Sequence, residues 1–179
     1  GIRAIPSYNI EKAKIIIDFG AARTGLIIFD QGIAQFTVSL PISGNKITKT
    51  IADTLNLDIA KAEEAKVVCG LDPEKCDGAL LKILINSIDQ LVTQINKAIL
   101  FYILNFHGGN EVVEIVLCGG GANFSGIDEV LSKKISIPVK IGNPLKKIKP
   151  LKKINIEKNK LLSYTTAIGL ALRNFQKEK

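Results

Sequence analysis

An aspartate, a glycine and a threonine stand near the beginning of the chain in the pattern Asp18-x-Gly20-x-x-x-Thr24. They follow three consecutive isoleucines, which predict a buried strand that delivers a carboxylate and bare backbone amides to a tight turn. Such a turn can hold phosphate oxygens, and Asp18 can hold Mg²⁺ through water because this ion keeps most of its hydration shell. The candidate phosphate-binding residues are Gly20, Ala21, Ala22, Arg23 and Thr24. Taken alone, the pattern also fits an ordinary buried hairpin.

Two further motifs could contact a ligand. Glu63 and Lys66 are three residues apart on a helix predicted over residues 59–68, with Asp58 as its N-cap, so their side chains share one face. On their own they also fit a surface ion pair. After an apolar run ending at Cys118, a glycine-rich turn leads into a helix and exposes backbone that a flat or anionic ligand can approach. The candidate residues of this turn are Gly119, Gly120, Gly121, Ala122 and Asn123.

The sequence offers little for metal binding or for disulfide bonding. His107, the one histidine, follows a helix and has no partner at ligand spacing, so we expect neither a metal site nor imidazole catalysis there. The three cysteines are odd in number and lack C-x-x-C spacing, which predicts reduced thiols, although Cys69 and Cys76 could lie close together across a turn.

Length and composition fit one cytoplasmic domain. The chain has 179 residues and 46% hydrophobic residues, without an apolar run long enough to span a bilayer. It contains no methionine, so we expect Gly1 to be an internal position of a longer product. Ten of the 24 basic residues lie between Lys133 and Lys160, and this segment fits either a solvated connection or a surface for phosphate, lipid headgroups or a partner. The scarcity of aromatic residues there argues against nucleic acid.

These candidate residues are positioned by a predicted succession of strands and helices. Residues 1–13 are expected to form a connector. Strands over residues 14–18, 25–29 and 33–40 would form a three-stranded antiparallel meander, with a hairpin turn at residues 30–32. Helical spacing resumes after Pro41, so residues 43–78 are expected to form a small helical excursion that ends its second helix at Gly70.

The second half of the chain is predicted to begin with a long amphipathic helix over residues 79–106. Its apolar stripe is Leu81, Leu84, Ile88, Leu91, Ile95, Ala98 and Tyr102. A strand over residues 114–118, the glycine turn, a helix over residues 126–134 and a strand over residues 137–141 follow. Ser125 and Asp128 predict a capping box for that helix. The last helix is expected to bury Leu161, Leu162, Ala167, Ile168, Ala171, Leu172 and Phe175.

The order of strands, helices and glycine turn resembles the ribonuclease-H-like unit of the actin-like ATPase superfamily. The fold class is therefore expected to be α/β, a mixed five-stranded sheet with an antiparallel meander, flanked by helices. Within that superfamily, residues 39–52, 115–131, 137–144 and 164–173 are similar to PilM, the FtsA-related family of type IV pilus assembly proteins. The similarity extends over nearly all of residues 14–173 and corresponds to the second half of such proteins.

The resemblance implies a nucleotide site with ATP or ADP and Mg²⁺ as cofactors. Asp18 would face the magnesium shell through water, residues 20–24 the phosphates, Glu63 and Lys66 the ribose, and residues 119–123 the adenine. Arg23 could pair with phosphate or turn outward to solvent. The implied partners are the N-terminal half of the same protein, a PilN-like membrane protein that contacts mainly that half, and further copies or other pilus platform proteins.

The resulting hypothesis is a nucleotide-binding scaffold of type IV pilus assembly at the inner face of the cytoplasmic membrane. It would be at most a slow ATPase, inactive as this fragment, and no catalytic residue is assigned. The alternatives are half of a catalytic ATPase or sugar-kinase-like phosphotransferase, and an FtsA-like cell-division protein. A nuclease of the same fold is disfavoured because the strand that should end in an acid ends in Cys118.

Overall fold

A computed structural model describes residues 11–145 and 158–172. In these residues the chain folds into a five-stranded mixed sheet with the strand order β3-β2-β1-β4-β5. The strands are β1 Ala13–Phe19, β2 Thr24–Asp30, β3 Ile33–Leu40, β4 Val112–Cys118 and β5 Val139–Ile141. The helices are α1 Gly44–Leu55, α2 Ile59–Cys69, α3 Ala79–Asn105, α4 Ile127–Ile135, α5 Lys158–Leu161 and α6 Thr165–Ala171.

The sheet has an antiparallel part, formed by β1, β2 and β3, and a parallel part, formed by β1, β4 and β5. β1 pairs antiparallel with β2, and β2 pairs antiparallel with β3. On its other side β1 runs parallel to β4, and β4 runs parallel to β5. The parallel pairing brings Asp18, near the end of β1, opposite Cys118 at the end of β4. The turn after β1 and the glycine turn after β4 therefore leave the same edge of the sheet. The predicted fold class is confirmed.

The main core lies between the sheet and the helices. Ile15 and Ile17 of β1 face Leu84, Ile88 and other residues of α3, all of them fully buried. The long helix confirms the prediction within one residue, but its buried stripe begins at Leu80 and not at Leu81. Because Leu80, Leu84 and Ile88 follow one another at four-residue steps, they form one ridge toward the sheet.

Several helix ends confirm the sequence prediction. The Asp58 carboxylate accepts a hydrogen bond from the Lys61 amide at 2.8 Å, so Asp58 is the N-cap of α2. Gly70 ends that helix with a positive φ of 59°. None of the helices in the described part of the chain combines the length and hydrophobicity that a bilayer crossing requires.

Two predicted elements are wrong in detail. The capping box is absent because Gly126 occupies the N-cap of α4 in a left-handed conformation and no side chain caps this helix. β5 covers three residues, not five: Pro138 has no N–H for the ladder, although its carbonyl oxygen accepts a hydrogen bond from the Ile115 amide.

The last predicted helix is also divided. A 3₁₀ turn, Leu162–Tyr164, separates α5 from α6 and changes the helical phase. Leu162 is buried as predicted, whereas Ala167 and Ala171 face solvent. Phe175 lies outside the described residues.

The cysteine prediction is wrong for two of the three thiols. Cys69 and Cys76 form a disulfide, with their Cα atoms 5.6 Å apart. The reason is the turn that follows α2, which folds the chain back within eight residues to a distance that suits a disulfide. Cys118 is a buried free thiol.

Candidate functional site

A cleft of about 930 Å³ opens at the edge of the sheet where β1 and β4 end. Its size is within the range of small-molecule sites. Side chains and backbone of six segments line it: the turn after β1, the start of α1, the face of α2, the glycine turn, residues 141–145 and residues 160–163. The lining residues that the sequence analysis predicted are Ala21, Glu63, Lys66, Gly120, Gly121 and Asn123. The Glu63–Lys66 pair and the glycine turn thus meet at one cavity, which Ala21 of the turn after β1 also lines.

The turn after β1 is held in place by its own backbone and by α1. The Gly20 amide donates to the Arg23 carbonyl oxygen at 3.0 Å, and a Cβ on Gly20 would lie only 2.6 Å from that oxygen. The first amides of α1, from Gly44 and Asn45, donate to the carbonyl oxygens of Gly20 and Ala21 at 3.0 and 2.8 Å. Glycine is therefore required at position 20, and the turn is fixed against the helix N-terminus.

The predicted phosphate-binding residues do not all face the cleft. Ala21, Ala22 and Arg23 are exposed, while the Thr24 side chain is fully buried and its hydroxyl has no hydrogen-bond partner among the residues that the structure describes. Thr24 shares a strand face with the core residue Leu26, so its hydroxyl is enclosed in the core. We therefore assign no ligand contact to this hydroxyl.

Asp18 lies beside the cleft, in a shallower hollow of about 480 Å³ that also contains Gly20 and Arg23. Its Oδ2 accepts a hydrogen bond from the Thr166 hydroxyl at 2.9 Å. A single, partly exposed carboxylate at a strand end fits a Mg²⁺ ion that keeps its waters, since such ions use one or two carboxylates together with substrate phosphates. The described residues contain no cluster of three or more acidic, histidine or cysteine side chains able to hold a metal.

Glu63 and Lys66 form more than a surface ion pair. The Lys66 ammonium donates to Glu63 Oε2 at 2.6 Å and to the Thr48 hydroxyl oxygen at 2.8 Å, and Lys66 is only 9% exposed. The Thr48 hydroxyl in turn lies 2.5 Å from Glu63 Oε2. Burial raises the pKa of Glu63, but the hydrogen bonds from Lys66 and Thr48 outweigh it and hold that pKa below its usual value. The carboxylate is therefore ionised on the cleft wall.

This network ties α2 to α1. The Lys66 ammonium also lies 3.5 Å from the carbonyl oxygen of Gly44, at the start of α1. Three acceptors surround the three donors of the ammonium group, so Lys66 positions Glu63 and supplies positive charge to the wall. The Glu63 side chain is 52% exposed, and its contacts in the described part of the chain fall on Oε2. Its Oε1 is not engaged in a hydrogen bond with the described residues.

The glycine turn forms the opposite wall. Gly119 is buried with φ 82° and ψ 167°, and residues Gly120–Asn123 form a 3₁₀ turn. A Cβ on Gly121 would lie 2.7 Å from the Phe19 ring, whereas one on Gly120 would meet only the Ser163 hydroxyl oxygen, at 3.1 Å. Gly120 is exposed, so a ligand can approach its backbone closely. Ala122 is buried and contributes packing.

Sequence reasoning missed two parts of the cleft. Gly44 and Asn45 at the start of α1 line it, and the N-cap Ser43, whose hydroxyl oxygen lies 3.4 Å from the Lys46 amide, was the available signal. Residues 160–163 line it as well, and no local pattern distinguishes them from an ordinary helix. A cleft with bare backbone, a carboxylate and buried positive charge can hold a flat ring at one end and anionic groups at the other.

Comparison with known proteins gives a family and a fold. The family described as type IV pilus assembly protein PilM matches residues 2–175. The cell division protein FtsA of Borreliella burgdorferi is 26% identical over 195 residues, covering 94% of this chain and 44% of that protein. FtsA of Pseudomonas aeruginosa is also 26% identical, over 186 residues, covering 94% of this chain and 43% of that protein. The chain thus spans less than half the length of these relatives.

Solved structures show the same fold at lower identity. A PilM-PilN type IV pilus biogenesis complex superposes with a TM-score of 0.75 at 22% identity, covering 92% of this chain and 46% of that one. MreB5 of Spiroplasma citri bound to AMPPNP gives a TM-score of 0.65 at 18% identity, covering 96% of this chain and 56% of that one. The fold is that of the actin-like ATPases.

Proposed function

Because the chain belongs to the PilM family of type IV pilus assembly proteins, we propose that it supplies one wall of an adenine-nucleotide site in a scaffold of pilus assembly. ATP or ADP with Mg²⁺ is the proposed ligand. The proposed location is the cytoplasmic face of the inner membrane, and the proposed partners are a PilN-like membrane protein and the other half of the site. A structural neighbour solved with AMPPNP and another solved as a PilM-PilN complex support these assignments by analogy.

The observation that carries the proposal is that the Glu63–Lys66 pair and the glycine turn line one cleft together with Ala21 of the turn after β1. The turn of residues 20–24, the Glu63–Lys66 pair and the glycine turn are separated by about forty and fifty residues in the chain. This proximity supports the proposal of backbone for an adenine, a carboxylate for ribose hydroxyls and an anion-binding turn around a single volume. Each could be structural when taken alone, but structural roles alone would not require a shared cavity.

Each segment has a distinct proposed task. The backbone of Gly120 and Gly121 lies under the adenine, and Glu63 Oε1 accepts hydrogen bonds from ribose hydroxyls. The exposed amides of the turn after β1 face the phosphates, and Asp18 holds magnesium-bound water in an orientation fixed by Thr166. Magnesium would neutralise phosphate charge when bound. No general base is assigned, so the proposal is for nucleotide binding and not for rapid hydrolysis.

A glycine-to-alanine variant tests this proposal. We expect Gly120→Ala to weaken MgADP binding roughly tenfold, because a methyl group would occupy the surface on which the adenine packs. The free energy of unfolding of the Gly120→Ala variant should change little, since the added Cβ meets only the Ser163 hydroxyl. The measurement is isothermal titration calorimetry with MgADP, alongside urea denaturation of each variant.

The control is Ile33→Ala. Ile33 is the first residue of β3, lies outside both the cleft and the hollow beside Asp18, and is 59% exposed. This variant should bind MgADP as the wild type does. Equal affinities of the Gly120→Ala and Ile33→Ala variants would contradict the placement of the adenine on the glycine turn.

A further inference from the structure

The segment between α2 and α3 is closed into a ring by the disulfide between Cys69 and Cys76. Cys69 is the last residue of α2 and is 7% exposed, whereas Cys76 is exposed at the start of a 3₁₀ turn. One sulfur atom of the pair therefore belongs to an accessible residue and the other to a buried one. An attacking thiolate can approach from the side of Cys76.

This ring lies between the two walls of the cleft. The Leu71 amide donates to the Ser125 carbonyl oxygen at 2.7 Å, immediately after the glycine turn, and Leu71 is fully buried. Gly70 packs so closely there that a Cβ would lie 2.5 Å from the Ser125 carbonyl oxygen. At this same end the ring continues from α2, which carries Glu63 and Lys66. The ring thus links the ribose-side wall to the adenine-side wall.

The backbone inside and beside the ring adopts an uncommon conformation. Cys76, Asp77 and Gly78 have φ values of 49°, 53° and 64°, all in the left-handed region. This region is unfavourable for residues that carry a Cβ, and two of the three residues do. Without the covalent closure, these residues would gain access to more favourable conformations. Closure of the ring is therefore one constraint on this turn, beside the hydrogen bonds from the Lys75 and Gly78 amides to the carbonyl oxygens of Asp72 and Lys75.

We propose that Cys69 and Cys76 are a reversible redox modification site that controls the separation of the cleft walls. A thiolate of a dithiol reductant attacks Cys76 Sγ, the Sγ–Sγ bond breaks, and Cys69 leaves as a thiolate that takes up a proton. The second thiol of the reductant then attacks the mixed disulfide. This step releases Cys76 as a thiol and leaves the reductant as a disulfide, with two electrons and two protons transferred to the protein.

The consequence is a cleft with two states. In the oxidised state the ring fixes residues 70–78 against Ser125, and both walls are held for the nucleotide. In the reduced state this loop is freer, so a ligand must order it on binding and is held less tightly. The effect on nucleotide affinity rests on the proposed function, whereas the loosening of the loop does not. Cys118 takes no part, because burial, together with the nearby Asp18 carboxylate, raises its pKa to about 12.

Thiol counting and amide exchange test the redox site itself. Under denaturing conditions the oxidised protein should show one thiol, from Cys118, and the protein treated with dithiothreitol should show three. We expect hydrogen exchange at the Leu71 amide to be at least tenfold faster in the reduced protein, roughly the effect of losing 1.4 kcal/mol of local stability. Exchange in the middle of α3, for example at Ile88, is the internal reference and should change less.

The Cys76→Ser variant is the matched control for nucleotide affinity. It should resemble the reduced protein with or without dithiothreitol, while the wild type should lose roughly tenfold in MgADP affinity on reduction. Equal Leu71 exchange in the oxidised and reduced wild type, or three thiols after mild oxidation, would overturn the redox proposal. Absence of MgADP binding in both states, with Leu71 exchange still dependent on reduction, would instead count against the proposed function alone.

Discussion

Replacing Gly119 by alanine is expected to destabilise the protein by roughly 3–5 kcal/mol. Gly119 has φ 82° and ψ 167°, a region of backbone space that is essentially open only to glycine. An added Cβ would also lie 2.6 Å from both Asp18 Oδ1 and the Phe19 carbonyl oxygen. The Phe19 contact is to backbone inside the sheet, so it cannot be relieved by a side-chain rotation. Conformational and steric costs therefore add.

Urea denaturation at neutral pH measures the free energy of unfolding, and thermal denaturation measures the melting temperature. For a domain of this size, a loss of 1 kcal/mol lowers the melting temperature by roughly 2–4 °C, so a decrease of about 10 °C is expected for Gly119→Ala. Gly25→Ala, whose added Cβ would have no heavy atom within 4 Å, is the control for stability, with a change within about 0.5 kcal/mol of the wild type. A Gly119→Ala variant that unfolds at the wild-type midpoint would mean that the glycine turn does not pack against β1 as described.

Replacing Asp30 by alanine is expected to destabilise the protein by roughly 3 kcal/mol. Asp30 is 1% exposed at the end of β2. Its Oδ2 accepts hydrogen bonds from the Tyr102 hydroxyl at 2.6 Å and the Asn110 amide at 3.1 Å, and its Oδ1 accepts one from Asn110 Nδ2 at 2.8 Å. Alanine removes the acceptor of all three bonds, which join β2 to the end of α3 and to the loop before β4.

The loss of stability in the Asp30→Ala variant should depend on pH. Burial raises the pKa of Asp30, but the hydrogen bonds from Tyr102 and Asn110 outweigh it and hold that pKa below the ordinary value of 3.8. A carboxyl group whose pKa is lowered on folding stabilises the protein above its unfolded pKa and loses that effect as the pH falls through its folded pKa. The stability difference between the wild type and Asp30→Ala should therefore be constant near neutral pH and shrink below about pH 4. A difference that does not change with pH would contradict this role of the ionised carboxylate.

Local pattern was sufficient for the elements that depend on it. The Asp58 cap reflects a single capping residue and the apolar stripe of α3 reflects a repeat, and the structure has both elements at or near the predicted bounds. The glycine turn was also predictable, because three adjacent glycines after an apolar strand have few other uses.

Features that depend on contacts between distant segments could not be predicted. Whether Ser125 caps a helix depends on Gly126, which takes a left-handed conformation where Leu71 and Asp72 pack against it. The disulfide depends on how the turn after α2 folds back, and Cys69 and Cys76 carry no local mark of it. The hydrogen bond between Thr166 and Asp18 joins positions 148 residues apart. The motif at residue 18 indicated a site, but the residues that orient it had to be found in the structure.

The side on which Thr24 lies is a further case. The motif suggested a hydroxyl directed at phosphate, whereas the pleat of β2 places this side chain on the same face as Leu26 and Ile28. The strand predicted from the sequence begins at residue 25, one residue later than β2. That prediction left Thr24 in the turn, with its hydroxyl free to face a ligand. A shift of one residue in a strand boundary thus reversed the predicted direction of a side chain.

The most direct test of the account is a backbone amide NMR titration of this chain with MgADP, in the oxidised state. We predict chemical-shift changes concentrated at the turn of residues 20–24, at Glu63 and Lys66, and at the glycine turn of residues 119–123. Asp18→Ala should reduce the changes in the turn of residues 20–24 and leave those of the glycine turn in place. Spectra unchanged at millimolar MgADP, or changes spread over surfaces outside the cleft, would contradict the claim that the three motifs form one wall of a nucleotide site.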